Sequence, residues 1–307
     1  MPTKRQRWNP VIYLALITAI TVILISTGSL NSSDTFHRLQ VTRSLWTDAP
    51  QVIENKSDRY LPESARTFTG AITYSAIGRD QKRYVTWGIG QSLVMLPADI
   101  IAEKITNTFY VDKLAIADPG ELLDRPDPKL SEVAGIVAYL TFPIINILAI
   151  IINLGLIKKL GFTTNQAIYG ALSLLFCTTF LHYSQTHQEN SLDFLLTSSG
   201  YLFHLLWLTT NSYKFLWLGT LSLGFNLLVR VTLVFNIIAV NIFTGLSLYL
   251  QTKVQNYAQE QSQNISDRQR SLKKTIIKYL IITAITYGFF LGIDRFYHWL
   301  RFDSFTG

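Results

Sequence analysis

Seven stretches of the chain are apolar over about fifteen to twenty-five residues, and most polar residues fall between them: Pro10–Leu30, Val133–Ile157, Gln166–His182, Ser191–Thr210, Phe215–Val229, Val231–Leu250 and Thr275–Ile293. A helix rises about 1.5 Å per residue, so most of these runs reach across a hydrocarbon layer of about 30 Å. Phe215–Val229 is the shortest, and Tyr213 and Lys214 can extend it by snorkelling. The pattern predicts an all-α, polytopic transmembrane helical bundle of about seven spans. The first run follows Lys4, Arg5 and Arg7, as a signal peptide would. Its length exceeds a signal core and no small-residue cleavage site follows, so it reads as an uncleaved helix.

Between the first two spans lies an outer segment of about a hundred residues, 31–130, too long for a connector. Within Asp34–Thr47, Phe36, Leu39, Leu45 and Trp46 recur at roughly helical spacing, with Arg38 and Arg43 between them. Gly88–Ile105 is apolar but carries Pro97, Asp99, Glu103 and Lys104, which predicts an amphipathic helix at the membrane surface. Asp118–Pro128 is rich in turn residues. The other long polar stretch, Gln251–Lys274, reads as a cytoplasmic linker. No internal repeat is visible, and residues 1–307 read as a single transmembrane unit.

Charge sharpens this picture. Only 15% of the 307 residues are charged and 49% are hydrophobic, against about 25% charged in soluble domains. The net charge of +7 does not point to nucleic acid, because the basic residues flank apolar runs and form no compact basic domain. They set orientation instead. With the N-terminus in the cytoplasm, segments 1–9, 158–165, 211–214 and 251–274 are inside and basic, while the outer loop 183–190 has no Lys or Arg. Cys177 is the sole cysteine, which excludes an intramolecular disulfide and a cysteine metal cluster.

This topology brings Asp34, Glu189, Arg230 and Arg301 to one membrane face, the extracytoplasmic or periplasmic one. Sugar transfer from a lipid phosphate needs a carboxylate to accept the proton of the attacking hydroxyl and cations to hold the leaving phosphate. Asp34 and Glu189 are the candidate carboxylates, and Arg79, Lys82, Arg83, Arg230 and Arg301 the candidate substrate-binding cations. A divalent metal ion could supplement them, with Asp34, His182 and His187 as candidate ligands. Arg230, between two apolar runs, faces either a polar cavity or partner, or simply caps a tight helical hairpin. His204, Asn226, Asn236 and Asn241 read as hydrogen-bonding groups within the bundle, and Asp193 as a residue reaching interfacial water.

Five segments, in order, resemble the GT-C membrane glycosyltransferases, in particular the bacterial family-39 or dolichyl-phosphate-mannose-protein-mannosyltransferase-like group. They are SSDTFHRLQVTRSLW with Asp34, GRDQKRYVTWGIGQSLVMLPADII from Gly78 to Ile101, HYSQTHQENSLDFLL with Glu189, LGFNLLVRVTLVF with Arg230, and FYHWLRFDSFTG with Arg301. The resemblance implies a polyprenyl-phosphate-sugar donor and an acceptor glycan, lipid or protein. It further implies Asp34 as catalytic base or metal-proximal acid, and Lys82, Arg83 and Arg230 as contacts to the lipid phosphate. Two departures stand out. The group has an Asp-Glu pair where this chain has Asp34-Thr35, and its members continue beyond the Leu-Arg-Phe segment where this sequence stops. The expectation is a C-terminally truncated or split protein, inactive alone. The rival expectations are a lipid-linked-substrate transporter or flippase, and a non-catalytic membrane scaffold.

Overall fold

Helices form where the apolar pattern predicts them. The computed structural model describes residues 9–28, 30, 33–52, 75–109, 128–258 and 265–304. The elements are α1 (Pro10–Ile25), α2 (Ser33–Ser44), a hairpin of β1 (Ser75–Ile77) and β2 (Arg83–Val85), α3 (Gly90–Phe109) and α4 (Pro128–Lys159). They continue with α5 (Thr164–Cys177), α6 (Phe180–Thr186), α7 (Asn190–Thr210), α8 (Tyr213–Val229), α9 (Val234–Ala258) and α10 (Ile265–Phe302). Lys4, Arg5 and Arg7, the turn-rich stretch before Pro128, residues 259–264 of the polar linker and Phe305–Gly307 lie outside the described residues.

Local chemistry sets several boundaries. The Asn9 side chain accepts from the Val11 N–H and Pro10 opens α1, a favoured pairing of cap and first-turn residue. Thr163 and Gln166 form a reciprocal capping box at α5. The expected span Gln166–His182 is two helices, α5 and α6, bent by 56°. Thr178 accounts for the break: its hydroxyl donates to the Leu174 carbonyl and accepts from the Phe180 N–H, satisfying backbone groups outside the helical ladder.

Among the described residues, three segments are long and apolar enough to cross a membrane: Glu132–Lys159, Val231–Leu250 and Lys273–Phe302. The bent α5–α6 pair makes a fourth if it counts as one span. α1 and α8 are apolar but shorter, at 16 and 17 residues. α7 has the length, but Asp193, His204 and its serines lower its apolarity. Only 17% of the apolar windows in α9 and α10 is buried inside the protein. Phe235, Ile242, Ile285 and Phe289 face outward there, a surface suited to lipid chains rather than water.

α8 packs against α7 on one side and α10 on the other, and α4 packs against α1, α3, α5 and α7. The largest core joins Leu39 of α2, Met95 and Ala102 of α3, Val137 and Phe142 of α4, Leu192 of α7 and Val229 of α8. α3 enters it through small residues. A Cβ on Gly90 would sit 2.6 Å from the Val229 backbone nitrogen, so only glycine permits this approach of α3 to α8.

The two expected surface helices exist; the bundle buries most of α2 and one face of α3, whose Ile101, Ile105 and Phe109 stay exposed. On α2, Thr35 and His37 to Thr42 are all buried, Arg38 included, while Leu45 and Trp46 lie past its end and are exposed. On α3, Asp99 is buried; Arg43 donates to it at 3.1 Å and the Trp46 indole at 2.7 Å. Burial still pushes the Asp99 carboxyl above its ordinary pKa, outweighing those two donors.

The hairpin was not foreseen from sequence. It pairs Ser75 with Val85 and Ile77 with Arg83 and docks on the end of α10. There the buried Arg301 guanidinium donates to the Val85 carbonyl, and the Arg79 N–H donates to the Arg301 carbonyl at 3.0 Å. Arg301→Ala should destabilise the protein by about 1.5–3 kcal/mol, the loss expected for a buried, charge-assisted hydrogen bond. Thermal unfolding in detergent checks this, and an unchanged Tm would show that the contact contributes nothing.

Candidate functional site

The ionisable residues that topology assigned to one face do not all meet. Glu189, Arg230 and Asp34 do, together with Arg38. Glu189 stands at the N-cap of α7, but its carboxylate makes no capping bond. Its Oε1 lies 3.3 Å from Arg38 Nη2 and accepts a hydrogen bond from Arg230 Nη2. Asp34 is one helical turn before Arg38 on α2, the spacing at which side chains share a helix face.

Each member is held by backbone features. α6 ends on His187 in the left-handed conformation, with φ 57°. The His187 carbonyl accepts from the Thr35 hydroxyl at 2.9 Å and from the Gln91 amide at 3.3 Å. Its Nε2 lies 3.3 Å from the Ser26 hydroxyl. α1, α2 and α3 therefore all fix the loop that carries Glu189. Arg230 is the extended C-cap residue of α8, ahead of the 3-10 turn Val231–Leu233 that opens α9. It both caps this junction and faces a partner, so the two readings of it from sequence hold together.

The two arginines differ in exposure. The Arg38 side chain is 1% exposed and that of Arg230 51%. Arg38 lies over the Trp87 ring, 5.1 Å from its centroid, and its Nε and Nη1 have no hydrogen-bond partner among the described residues. Burial lowers the Arg38 pKa, Glu189 and Asp34 oppose that shift, and Arg230 adds to it. The cluster thus sets two guanidiniums against two carboxylates. Arg38 is sealed in, whereas Arg230 can exchange its carboxylate for an incoming anion.

Arg301 spends its guanidinium on the Val85 and Trp87 carbonyls and over the Tyr297 ring. Arg79 is half exposed, 3.7 Å from Asp303 and beside the Trp299 ring. Lys82 is exposed and 3.5 Å from Asp80, and Arg83 donates to the Ser75 hydroxyl at 3.4 Å. These four belong to the hairpin and its dock on α10. The hairpin reaches the Glu189 cluster through Trp87, whose carbonyl faces Arg301 and whose ring underlies Arg38.

His182 is exposed on α6 and His187 is buried against Phe142, with ring centroids 4.9 Å apart. Among the described residues, no group of three or more His, Cys, Asp or Glu is arranged to hold a metal ion. Glu189 already shares one oxygen between two guanidiniums, an environment that opposes a divalent cation. The residues of this cluster therefore do not fit a divalent metal, and no step below uses one.

Sequence reasoning passed over Arg38. The available signal was its i, i+4 spacing from Asp34, which places both on one face. The interhelical roles read for the asparagines do appear. Asn226 and Asn236 donate to Asp193 at 2.8 and 3.2 Å, and Asn241 accepts from the Tyr279 hydroxyl. His204 bonds to the Gly200 carbonyl of its own helix at 2.7 Å. The chain matches no protein-family model, no curated protein and no solved structure.

Proposed function

We propose that the chain belongs to a membrane glycosyltransferase that moves a sugar from a polyprenyl phosphate to an acceptor hydroxyl or amine on the extracytoplasmic side. In this reading the apolar helices form about seven spans with the N-terminus in the cytoplasm, α1, α8 and α7 completing the set of longer helices. The observation that carries it is the meeting of Arg38 and Arg230 on Glu189, with Asp34 one turn away. Such a site offers a carboxylate and an exchangeable guanidinium side by side.

The donor phosphodiester displaces Glu189 from the half-exposed Arg230, which then pairs with the phosphate oxygens. Asp34 accepts the proton of the acceptor hydroxyl as its oxygen attacks the anomeric carbon. The bond between that carbon and the phosphate oxygen breaks, and polyprenyl phosphate leaves with one more negative charge. Arg230 stabilises this developing charge, so its contribution grows toward the transition state. Arg38, sealed behind Glu189, holds that carboxylate in place. Glu189, once released by Arg230, is positioned to accept from a sugar hydroxyl.

The direct test is binding of a polyprenyl-phosphate sugar to purified protein in detergent. Arg230→Ala should weaken it by about 10- to 100-fold, the range for one charge-assisted contact. Asp34→Asn should leave it within a few-fold. Absence of binding to folded wild-type protein would remove this reading and favour a non-catalytic membrane scaffold.

A further inference from the structure

The hairpin turn and the end of α10 carry a second group of cations, outside the Glu189 cluster. Gln81, at φ 64°, lies in the tight turn between β1 and β2, and Asp80 pins that turn. Its Oδ1 accepts from the Lys82 N–H at 3.2 Å and its Oδ2 from the Tyr84 hydroxyl at 2.9 Å. Arg79 and Lys82 therefore stand on a fixed loop. The Arg79 guanidinium lies 5.6 Å from the centroid of the Trp299 ring, and that ring stacks on Phe296 at 5.9 Å. Phe296 and Leu300, one helical turn apart on α10, are exposed, as is Ile77 of β1. Cations, an indole and apolar side chains thus run together from the turn onto the helix.

The length of α10 sets the depth of this surface. Its apolar segment Lys273–Phe302 has 30 residues, about 45 Å of helix, enough for the hydrocarbon layer and the headgroup regions on both sides. Its last two turns, with Phe296, Trp299 and Leu300, therefore lie where hydrocarbon gives way to headgroups, the depth that tryptophan favours. The Arg301 dock holds the hairpin against those turns, which brings Arg79 and Lys82 to headgroup level. Charge then selects the headgroup. Residues 75–87 carry three cations against one carboxylate, and residues 295–304 two against one. The acids compete weakly. Both Asp80 oxygens are engaged within the hairpin, and Lys82, 3.5 Å from one of them, is 77% exposed. Asp303 is 3.7 Å from Arg79, and both side chains are more than half exposed. A pair so solvated contributes little and exchanges readily for another anion.

We infer that the β1–β2 turn and the end of α10 form a docking surface for an anionic phospholipid of the surrounding bilayer, such as phosphatidylglycerol. Its phosphate takes the place of Asp303 at Arg79 and meets the Lys82 ammonium, while its acyl chains lie along Phe296 and Leu300. A zwitterionic lipid offers the same chains and phosphate, but its own ammonium is repelled by the two cations. Arg79 and Lys82, which the sequence pattern assigned to a donor phosphate, act here on the bilayer. The inference rests on α10 crossing the membrane and not on the glycosyltransferase reading, so lipid preference can fail or hold independently of sugar transfer.

The test titrates purified protein in detergent with phosphatidylglycerol or phosphatidylcholine of the same acyl chains, and counts retained lipid by native mass spectrometry. Wild-type protein should prefer phosphatidylglycerol, and added salt should weaken that preference. Arg79→Gln and Lys82→Gln should each lower it about fivefold, as expected for one cation at a membrane surface. Lys82→Gln serves if Arg79→Gln disturbs the dock, because the Lys82 side chain stands clear of α10 and Tm should not move. A polyprenyl phosphate and glycerophosphoglycerol, a headgroup without chains, form the control arms. Equal retention of the two phospholipids by wild type, an undiminished preference in both variants, binding of the chain-free headgroup as tight as that of the lipid, or a preference for polyprenyl phosphate alone would each overturn the assignment.

Discussion

Glu189→Ala should destabilise the protein by about 3–5 kcal/mol, the range for breaking a buried ion pair from one side. The cost arises at Arg38 rather than Arg230. Arg230 is half exposed and can turn its guanidinium to solvent, but Arg38 is 1% exposed and would remain charged with only Asp34, one helical turn away, to offset it. Thermal or denaturant unfolding in detergent measures the effect. A cycle isolates its origin: Arg38→Met in the Glu189→Ala background should recover most of the loss, whereas Arg230→Met should recover little. Loss recovered by Arg230→Met instead would place the buried charge problem at the wrong arginine. A loss below about 1 kcal/mol, the value of an exposed pair, would mean the cluster is solvated.

In a full-length form of the protein that carries out sugar transfer, Asp34→Asn should lower turnover by about 10²–10⁴-fold, the contribution of a positioned general base. The substitution keeps the size of the side chain and its place on α2, so lipid binding and Tm should change little. Turnover measured with a polyprenyl-phosphate sugar, alongside binding of the same lipid, separates the two effects. Equal turnover of variant and wild type would remove Asp34 as the base. A matched loss of binding and turnover would make it a binding residue, because a base acts on the chemical step and not on ground-state affinity.

Sequence carried the helical class, because apolar runs of this length leave few alternatives to helices. It also placed three members of the candidate cluster on one face: Asp34 after α1, Glu189 before α7 and Arg230 after α8 lie at helix ends, and helix ends are what a topology places. Arg38 escaped because helical periodicity treats a charge as a solvent-facing residue, while three-dimensional packing supplied it with Glu189 and the Trp87 ring. The hairpin escaped because strands of three residues are too short to show alternation, and its anchor on α10 is distant in sequence. The α5–α6 break was hidden for a different reason. Hydropathy does not register a threonine hydroxyl competing for backbone groups, and Thr178 does that. The shorter reach of α1 and α8 and the polarity of α7 likewise concern thresholds of length and composition that a run of apolar letters leaves open.

The dock of the hairpin on Arg301 has a bearing on how the protein is made. The Val85 carbonyl and its guanidinium donor are 216 residues apart. At about 5–20 residues per second, the hairpin emerges from the ribosome some 10–40 s before its anchor is translated. Throughout that interval the Val85 and Trp87 carbonyls lack the Arg301 guanidinium that later meets them. Nascent chains are therefore expected to hold residues 75–87 open to proteases and chaperones until α10 is inserted and this contact closes.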